Sequence, residues 1–355
     1  MRSRHHSYAT RPSIAVFASA FLAAAACAAE APKISPEAAT WKPSSIFEKN
    51  ASGDLADQPR MNLSGAACVP TTPKFTSCLI ANDEKKYAQF FSIDGTTLKP
   101  LKLIRLSDED KDPDAEGVAY AEGFFYVTGS HGRSRNSNKP NESSYAVFRF
   151  PVDRVTGIPP FEVTDDRVVP EIRSSSRLRD EISKACVIKD QPPHDCSIKD
   201  AYDKKLADGG ANIEGIAVQG DRIHFGFRGP SHDGKAYVLS VGAKAFYTEN
   251  DDLTSKATSL TLGTDTGIRD LAAVDNGILV LAGPTRGEAV PYAVWLWDGI
   301  GNTATKLATL DLVGVGSDGK AEILLPLAQE GPNIRVLVMF DGIENGGAVS
   351  FNIPR

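Results

Sequence analysis

The 355-residue sequence predicts an all-β fold built from repeated small antiparallel sheets. Three observations favour it: a short acidic motif recurs along the chain, strand-like runs follow each copy, and 30 Gly and 22 Pro supply many turns. With 41% apolar residues, these Gly and Pro fit turns rather than a low-complexity tract. Repetition of short strands with a period near 50 residues is typical of a β-propeller.

The recurring motif places a polar residue at the start of an apolar run. Its clearest copies are Asp114-Ala-Glu-Gly-Val-Ala-Tyr120 and Asn212-Ile-Glu-Gly-Ile-Ala-Val218. The aligned positions are Ser64, Glu116, Glu214, Asp270 and Glu322. Their separations are 52, 98, 56 and 52 residues, so one interval is nearly doubled. An insertion at about 171–210 explains this interval and gives five blades, whereas a complete extra blade would give six.

Each motif is followed by further runs rich in Val, Ile, Leu, Phe and Tyr, as expected of strands. The predicted second strands are 77–82, 124–129, 222–229, 277–283 and 335–342. The predicted third strands are 87–93, 145–151, 236–241, 292–297 and 348–353. The predicted fourth strands are 101–106, 161–169, 258–262 and 305–312. The last unit lacks a fourth strand, so we expect the segment 41–48 to supply it and to close the ring by pairing the two chain ends.

The first 28 residues predict a secretory signal peptide. They carry Arg2, Arg4 and Arg11, then an apolar run over 14–26 and an Ala-x-Ala cleavage site at 26–28. The remaining residues, 29–355, are expected to form a single propeller domain in the periplasm or outside the cell. Cys27 offers lipid anchoring as an alternative, although the Ala residues before it make a poor lipoprotein box. No other run approaches the roughly 18 apolar residues of a membrane span.

Charge and cysteine content narrow the function classes further. The formal net charge of −6 lacks the basic excess of a nucleic-acid-binding surface. Four cysteines remain after Cys27, and an even number in an exported chain favours disulfides. Four cysteines permit three pairings, of which the short spacing favours Cys68–Cys78 and Cys186–Cys196. The C-x₂-C spacing of zinc sites is absent.

The repeated acids are the strongest candidates for a functional site. The innermost strands of a propeller line its channel, so acids at their starts would converge at one mouth. Converging carboxylates repel one another unless a cation lies between them, and hard oxygen ligands suit Ca²⁺ or Mg²⁺. The predicted ligands are Asp114, Glu116, Asn212, Glu214 and Asp270. The alternative is structural, with the acids capping turns and joining neighbouring blades.

Candidate catalytic and substrate-binding residues cluster in the same motifs. Glu116, Glu214 and Asp270 could hold the metal or act as a base. His131, within Gly129-Ser-His-Gly-Arg133, could act as a general base or a ligand. The predicted anion-binding residues are Arg133, Arg228 and Arg269. No G-x-S-x-G elbow, H-E-x-x-H helix or P-loop is present.

At these motifs the sequence resembles a bacterial family of exported proteins classed only as a domain of unknown function. It is similar, more distantly, to the esterase-like phytase propellers. The residues that carry the resemblance are Asp114-Ala-Glu-Gly117, Gly209-Gly-Ala-Asn-Ile-Glu-Gly215, Phe227-Arg-Gly-Pro230 and Gly267-Ile-Arg-Asp270. The phytase-like relatives imply phosphoester hydrolysis with calcium in an acidic channel.

Three functions therefore remain open. The first is a divalent-cation-assisted hydrolase of a phosphoester or related ester at the channel mouth. The second is a non-enzymatic module that binds a small-molecule or protein ligand there. The third is a lactonase-like hydrolase, since such propellers also use a central calcium. We expect a monomer with no organic cofactor, no nucleic-acid partner and Ca²⁺ as the metal.

Overall fold

The computed structural model describes Met1 and residues 30–48, 59–70, 77–189, 194–315 and 319–355. The predicted signal peptide and Cys27 lie outside these residues, Met1 excepted. Residues 31–355 form one compact unit. None of the helices in the described part is long and apolar enough to span a membrane.

Five antiparallel sheets follow one another along the chain, preceded by two short strands, β1 (Lys33–Ile34) and β2 (Lys42–Pro43). The first blade contains β3 (Leu63–Cys68), β4 (Cys78–Asn82), β5 (Tyr87–Asp94) and β6 (Thr97–Arg105). The second contains β7 (Ala115–Ala121), β8 (Phe124–Gly129), β9 (Val147–Pro151) and β10 (Arg173–Ser175). The third contains β11 (Asn212–Gln219), β12 (Arg222–Gly229), β13 (Lys235–Gly242) and β14 (Lys256–Thr261).

The fourth blade contains β15 (Thr266–Val274), β16 (Gly277–Pro284), β17 (Ala293–Trp297) and β18 (Ala304–Leu310). The fifth contains β19 (Lys320–Glu330), β20 (Asn333–Asp341) and β21 (Val349–Pro354). The first strand of each blade contacts that of the next, and β19 contacts β3, so the ring is closed. The prediction of a five-bladed β-propeller is confirmed, and the described residues contain no sixth blade.

The hydrophobic core is divided into five clusters, one between each pair of neighbouring blades. The strands alternate between clusters because successive side chains point to opposite faces of a sheet. In β16, Ile278 and Val280 pack towards the third blade, whereas Leu279 and Leu281 pack towards the fifth. Apolar residues on both faces therefore explain why these runs lack the polar alternation of half-exposed strands.

The ends of the chain meet at the ring closure, as predicted, but 41–48 does not supply a fourth strand to the last blade. Instead β1 pairs in parallel with β18 and β2 pairs in parallel with β6. Between them, Glu37 N donates to Ser350 O at 2.8 Å, and Trp41 Nε1 donates to Ser350 Oγ at 2.9 Å. Pro36 lacks the N–H donor of a continuous ladder, and the segment crosses the edge of β21 without pairing along it.

The second blade also differs from its prediction. The run 161–169 forms no strand, and β10 at 173–175 takes the outer position inside the predicted insertion. Phe161 and Val163 instead pack from a loop against the cluster between the first and second blades. The insertion continues with α1 (Leu178–Ile182) and α2 (Ser197–Asp200), and a third short helix, α3 (Ala243–Phe246), follows β13.

Both predicted disulfides are confirmed. Cys68–Cys78 joins β3 to β4, and Cys186–Cys196 closes a short loop in the insertion. Leu178, Ile182 and Ile198 anchor the two helices of the insertion to the core between the second and third blades. The insertion is thus fixed between the second and third blades.

Glycine in the repeated motif permits close contact between neighbouring innermost strands. A Cβ atom at Gly117 would lie 2.7 Å from Glu214 O, a backbone atom of the next blade. We expect Gly117→Ala to destabilise the protein by about 1–3 kcal/mol, because backbone must move to relieve the contact. Gly287→Ala is the matched control, since nothing lies within 4 Å of a Cβ there. Urea unfolding of both variants checks this, and equal midpoints would contradict the packing argument.

Candidate functional site at the channel mouth

A β-bulge near the start of each innermost strand sets the geometry of the channel. At each bulge the pairing register skips one residue. The skipped residues are Gly65, Glu116, Glu214, Arg269 and Glu322. A bulge redirects the side chain of its unpaired residue. In the fourth blade the position equivalent to the three glutamates is therefore Arg269, one residue before the aligned Asp270.

Because this position carries a cation in the fourth blade and an acid in others, Glu214, Arg269 and Glu322 form a charged layer across the channel. Arg269 and Glu214 are each 1% exposed, and Arg269 Nε lies 3.0 Å from Glu214 Oε2, without hydrogen-bond alignment. Arg269 Nη2 also donates to Glu322 Oε1. Arg228 Nη1 donates to Glu214 Oε1 at 2.7 Å and Arg228 Nε donates to Thr285 O at 2.7 Å. Two of the three arginines predicted to bind a substrate anion, Arg228 and Arg269, thus bind protein groups.

The ionisation of the layer follows from burial and from the charges within it. Burial alone would lower the pKa of Arg269, but Glu214 and Glu322 outweigh it and raise that pKa, so the guanidinium remains charged. Burial raises the pKa of Glu322 to about 7, although Arg269 opposes the shift. One guanidinium thus stabilises two buried carboxylates.

The Asp270 carboxylate joins the fourth blade to the fifth. Its Oδ1 accepts from Leu271 N at 2.8 Å and its Oδ2 accepts from Leu324 N at 2.7 Å, in the fifth blade. Burial raises the pKa of Asp270 well above its usual value, while these two backbone donors lower it. Ser64 makes a comparable contact, since its Oγ donates to Glu116 O of the second blade at 3.0 Å. The structural alternative therefore describes Asp270.

Three carboxylates, which we call the carboxylate triad, converge above this layer at the channel mouth. One oxygen each from Asp83, Asp114 and Glu116 lie within 4.8 Å of one another. Asp83 follows β4, Asp114 precedes β7 with a φ of +50°, and Glu116 occupies the bulge of β7. The structure therefore brings together two of the predicted metal ligands, Asp114 and Glu116. It does not bring Glu214 or Asp270 into this group.

Sequence reasoning missed Asp83, because it lies in a turn outside the repeated motif. The available signal was the polar end of the second strand, Asn82-Asp83-Glu84, which precedes a turn on the mouth side. Asp83 Oδ1 is buried and has no hydrogen-bond partner among the described residues. Burial raises the pKa of Asp83 well above its usual value, and the charges of Asp341 and Asp114 raise it further.

His131 is fully buried in the loop after β8 and is not exposed to the channel mouth. Its ring stacks on Tyr145 at a centroid distance of 5.9 Å, and its backbone carbonyl accepts from Arg179 Nη1 at 3.0 Å. Burial lowers the pKa of His131 to about 3, with Arg179 contributing. The structure thus places the predicted general base His131 in a buried position that favours the neutral imidazole.

Two further predicted residues, Arg133 and Asn212, are not members of the carboxylate triad. Arg133 Nη1 donates to Asp203 Oδ1 at 3.1 Å, which ties the β8–β9 loop to the insertion. Asn212 is 9% exposed, and its Oδ1 has no hydrogen-bond partner among the described residues. Arg135, which was not predicted, is exposed, and Asp114, Glu116 and Asp83 raise its pKa against the effect of burial.

Removal of the central guanidinium should strongly destabilise the fold. We expect Arg269→Met to cost about 3–5 kcal/mol, because it leaves the buried Glu322 carboxylate without its arginine partner and Glu214 with Arg228 alone. Arg286→Met is the control, since the Arg286–Glu288 pair is half exposed and such pairs contribute at most about 1 kcal/mol. Denaturant unfolding measures both changes, and a similar cost for the two variants would refute the central role of Arg269.

The buried His131 should make stability depend on pH. Its folded-state pKa of about 3 lies below the ordinary 6.5, so its contribution is complete above pH 6.5 and is lost as pH falls from 6.5 towards 3. Each pH unit in that window costs about 1.4 kcal/mol. His131→Asn, in which Asn tolerates the φ of +53°, should lose less stability between pH 7.5 and 5 than the parent. Parallel stability–pH curves would show that the histidine is not buried neutral.

Comparison with known proteins gives a family match. The family described as Protein of unknown function (DUF3616) matches residues 77–156 and 195–346. No curated protein matches the chain.

The chain is similar to several solved structures at low identity and low TM-score. A GH43 β-1,3-galactosidase with galactodeoxynojirimycin is 10% identical with a TM-score of 0.46, covering 82% of this chain and 90% of that one. An exo-β-1,3-galactanase from Phanerochaete chrysosporium is 9% identical with a TM-score of 0.45, and the match covers 92% of this chain and 64% of that one. A calcium-binding regucalcin from Agrobacterium tumefaciens is 10% identical with a TM-score of 0.35, and the match covers 89% of this chain and 97% of that one. The family match covers well over half of the sequence, so the chain belongs to the family described as Protein of unknown function (DUF3616).

Proposed function

We propose that the channel mouth binds a divalent cation, Ca²⁺ by its ligand chemistry, and that this cation assists hydrolysis of a phosphoester or related ester. The observation that carries the proposal is the convergence of Asp83, Asp114 and Glu116, with one oxygen from each within 4.8 Å of the others. Calcium–oxygen distances are about 2.3–2.6 Å, so three oxygens at this separation can share one ion.

The surroundings of the triad favour a cation. Ser130 Oγ donates to Asp114 Oδ2, and Ser64 Oγ donates to Glu116 Oε2 at 2.9 Å, which orients both carboxylates. Asp83 Oδ1 is buried without a hydrogen bond among the described residues, so it retains a lone pair for an ion. Burial raises the pKa of Glu116, and the charges of Asp114 and Glu214 add to the shift. A bound cation would offset this repulsion.

Residues around the triad have distinct proposed roles in hydrolysis. Asp83, Asp114 and Glu116 would hold the cation, while the exposed Arg135 guanidinium would bind the anionic group of the substrate. The second carboxylate oxygen of Asp83 would accept the proton of the attacking water. The cation, when bound, supplies positive charge that polarises the ester oxygen and acidifies water. We further propose that the protein works outside the cytoplasm, which its two disulfides support.

A second candidate is a non-enzymatic module that binds a small-molecule or protein ligand at the same mouth. It is favoured by the burial of three predicted catalytic side chains, Glu214, Asp270 and His131, which are each at most 1% exposed. On this proposal the cation would order the mouth without chemistry. A lactonase-like activity would use the same cation and is distinguished by its substrate.

Calcium binding is tested by calorimetry and thermal unfolding. At a concentration 100 times Kd, a ligand specific for the folded state adds about 2.7 kcal/mol, so we expect the midpoint of thermal unfolding to rise with Ca²⁺. The Asp83→Asn and Glu116→Gln double variant should lose this rise. Glu122→Gln, in the exposed turn of the same blade at the opposite face, should keep it. Absence of binding heat and of any shift at millimolar Ca²⁺ would remove the metal site.

The reaction is tested separately, with chromogenic phosphomonoesters, phosphodiesters, carboxylic esters and lactones. A hydrolase should show turnover that requires Ca²⁺, stops with chelator and falls at least tenfold in Asp83→Asn. Arg135→Gln should raise KM for phosphoesters more than for uncharged esters, because it removes the proposed anion contact. Calcium binding with no turnover of any class would favour the binding module over the enzyme.

A further inference from the structure

A second cavity lies at the opposite end of the channel from the acidic mouth. Its volume is about 570 Å³, and all five innermost strands line it with residues that follow their bulges. One aliphatic residue from each blade illustrates the lining: Ala66, Val118, Ile216, Leu271 and Leu325. Because all innermost strands run in the same direction, their later residues form the face away from the mouth.

The charged layer separates this cavity from the mouth. Its members Glu214, Arg269 and Glu322 each have at most 3% of their surface exposed and precede the lining residues on their strands. None of these three residues lines the cavity. A ligand in the cavity therefore meets aliphatic walls, and its binding does not depend on the carboxylate triad.

The chemistry of the rim indicates which ligand the cavity would take. Asp275 is exposed at the rim, and its carboxylate has no hydrogen-bond partner among the described residues. Its backbone N donates to Gln329 Oε1 at 3.0 Å, and Arg355 Nη2 donates to that same oxygen at 3.4 Å. The lining contains no lysine or arginine within the described chain. An apolar body with a cationic group at one end complements such a cavity.

We propose that this cavity binds a small organic amine with an apolar body, the ammonium lying against Asp275. Its volume falls within the range of about 300–1,000 Å³ that is typical of small-molecule sites, which are mostly apolar with few polar groups. The apolar body supplies most of the affinity by leaving water. The negative charge of Asp275 repels anions, so the cavity discriminates against them.

Three dansyl compounds test the proposal because they share one fluorescent apolar body. Dansylcadaverine carries an ammonium, dansylamide is neutral and dansylglycine is an anion. We expect affinity to fall in that order for the calcium-free full chain. Asp275→Asn should weaken dansylcadaverine by roughly two- to fivefold, as for an exposed ion pair, and leave dansylamide unchanged.

Filling the cavity provides the decisive control. Ala273 and Ala328 both line it, so Ala273→Trp and Ala328→Trp should each weaken all three compounds at least tenfold. Thr305→Trp, on the outer strand β18 of the fourth blade, is exposed and should bind like the parent. Equal binding to Ala273→Trp and Thr305→Trp would overturn the site. A ligand order unchanged by Asp275→Asn would overturn the assignment of an amine.

Discussion

The arrangement of this propeller depends on one buried guanidinium. Arg269 occupies the bulge position that carries glutamate in three other blades, and it lies between Glu214 and Glu322 at the centre of the ring. Without a cation at this position, converging glutamates would face one another in a dry interior. A buried charge requires a partner, because its desolvation costs several kcal/mol. The fold thus resolves the repulsion among its repeated acids internally.

This internal pairing divides the channel by function. On one side, the carboxylates of Asp83, Asp114 and Glu116 converge. Hydroxyl groups donate to Asp114 and Glu116, and the other carboxylate oxygens remain available to a cation. On the other side, aliphatic residues form a cavity with Asp275 at its rim. The charged layer supports both sides mechanically, since the same strands continue through it. The acidic mouth therefore derives its shape from the bulges, and its charge comes from Glu116 at the repeated position together with Asp83 and Asp114 outside it.

Much of the fold followed from the sequence because its determinants are local. The period of the motif and the apolar strands predicted five blades. The short spacing within each cysteine pair predicted both disulfides, Cys68–Cys78 and Cys186–Cys196. The site was harder, because a bulge shifts a register by one residue without any signature in the letters. Alignment by acid type selected Asp270, whereas hydrogen bonding places Arg269 at that position. Asp83 escaped prediction because only tertiary folding brings its turn beside β7.

The central claim is that a cation binds above the charged layer and leaves Arg269 in place. The most direct measurement is an X-ray structure of crystals grown with Ca²⁺, with an anomalous difference map. The account predicts one peak about 2.3–2.6 Å from oxygens of Asp83, Asp114 and Glu116, with Arg269 still paired to Glu214 and Glu322. A peak among Glu214 and Glu322 with Arg269 displaced, or no peak in the channel at saturating Ca²⁺, would contradict it.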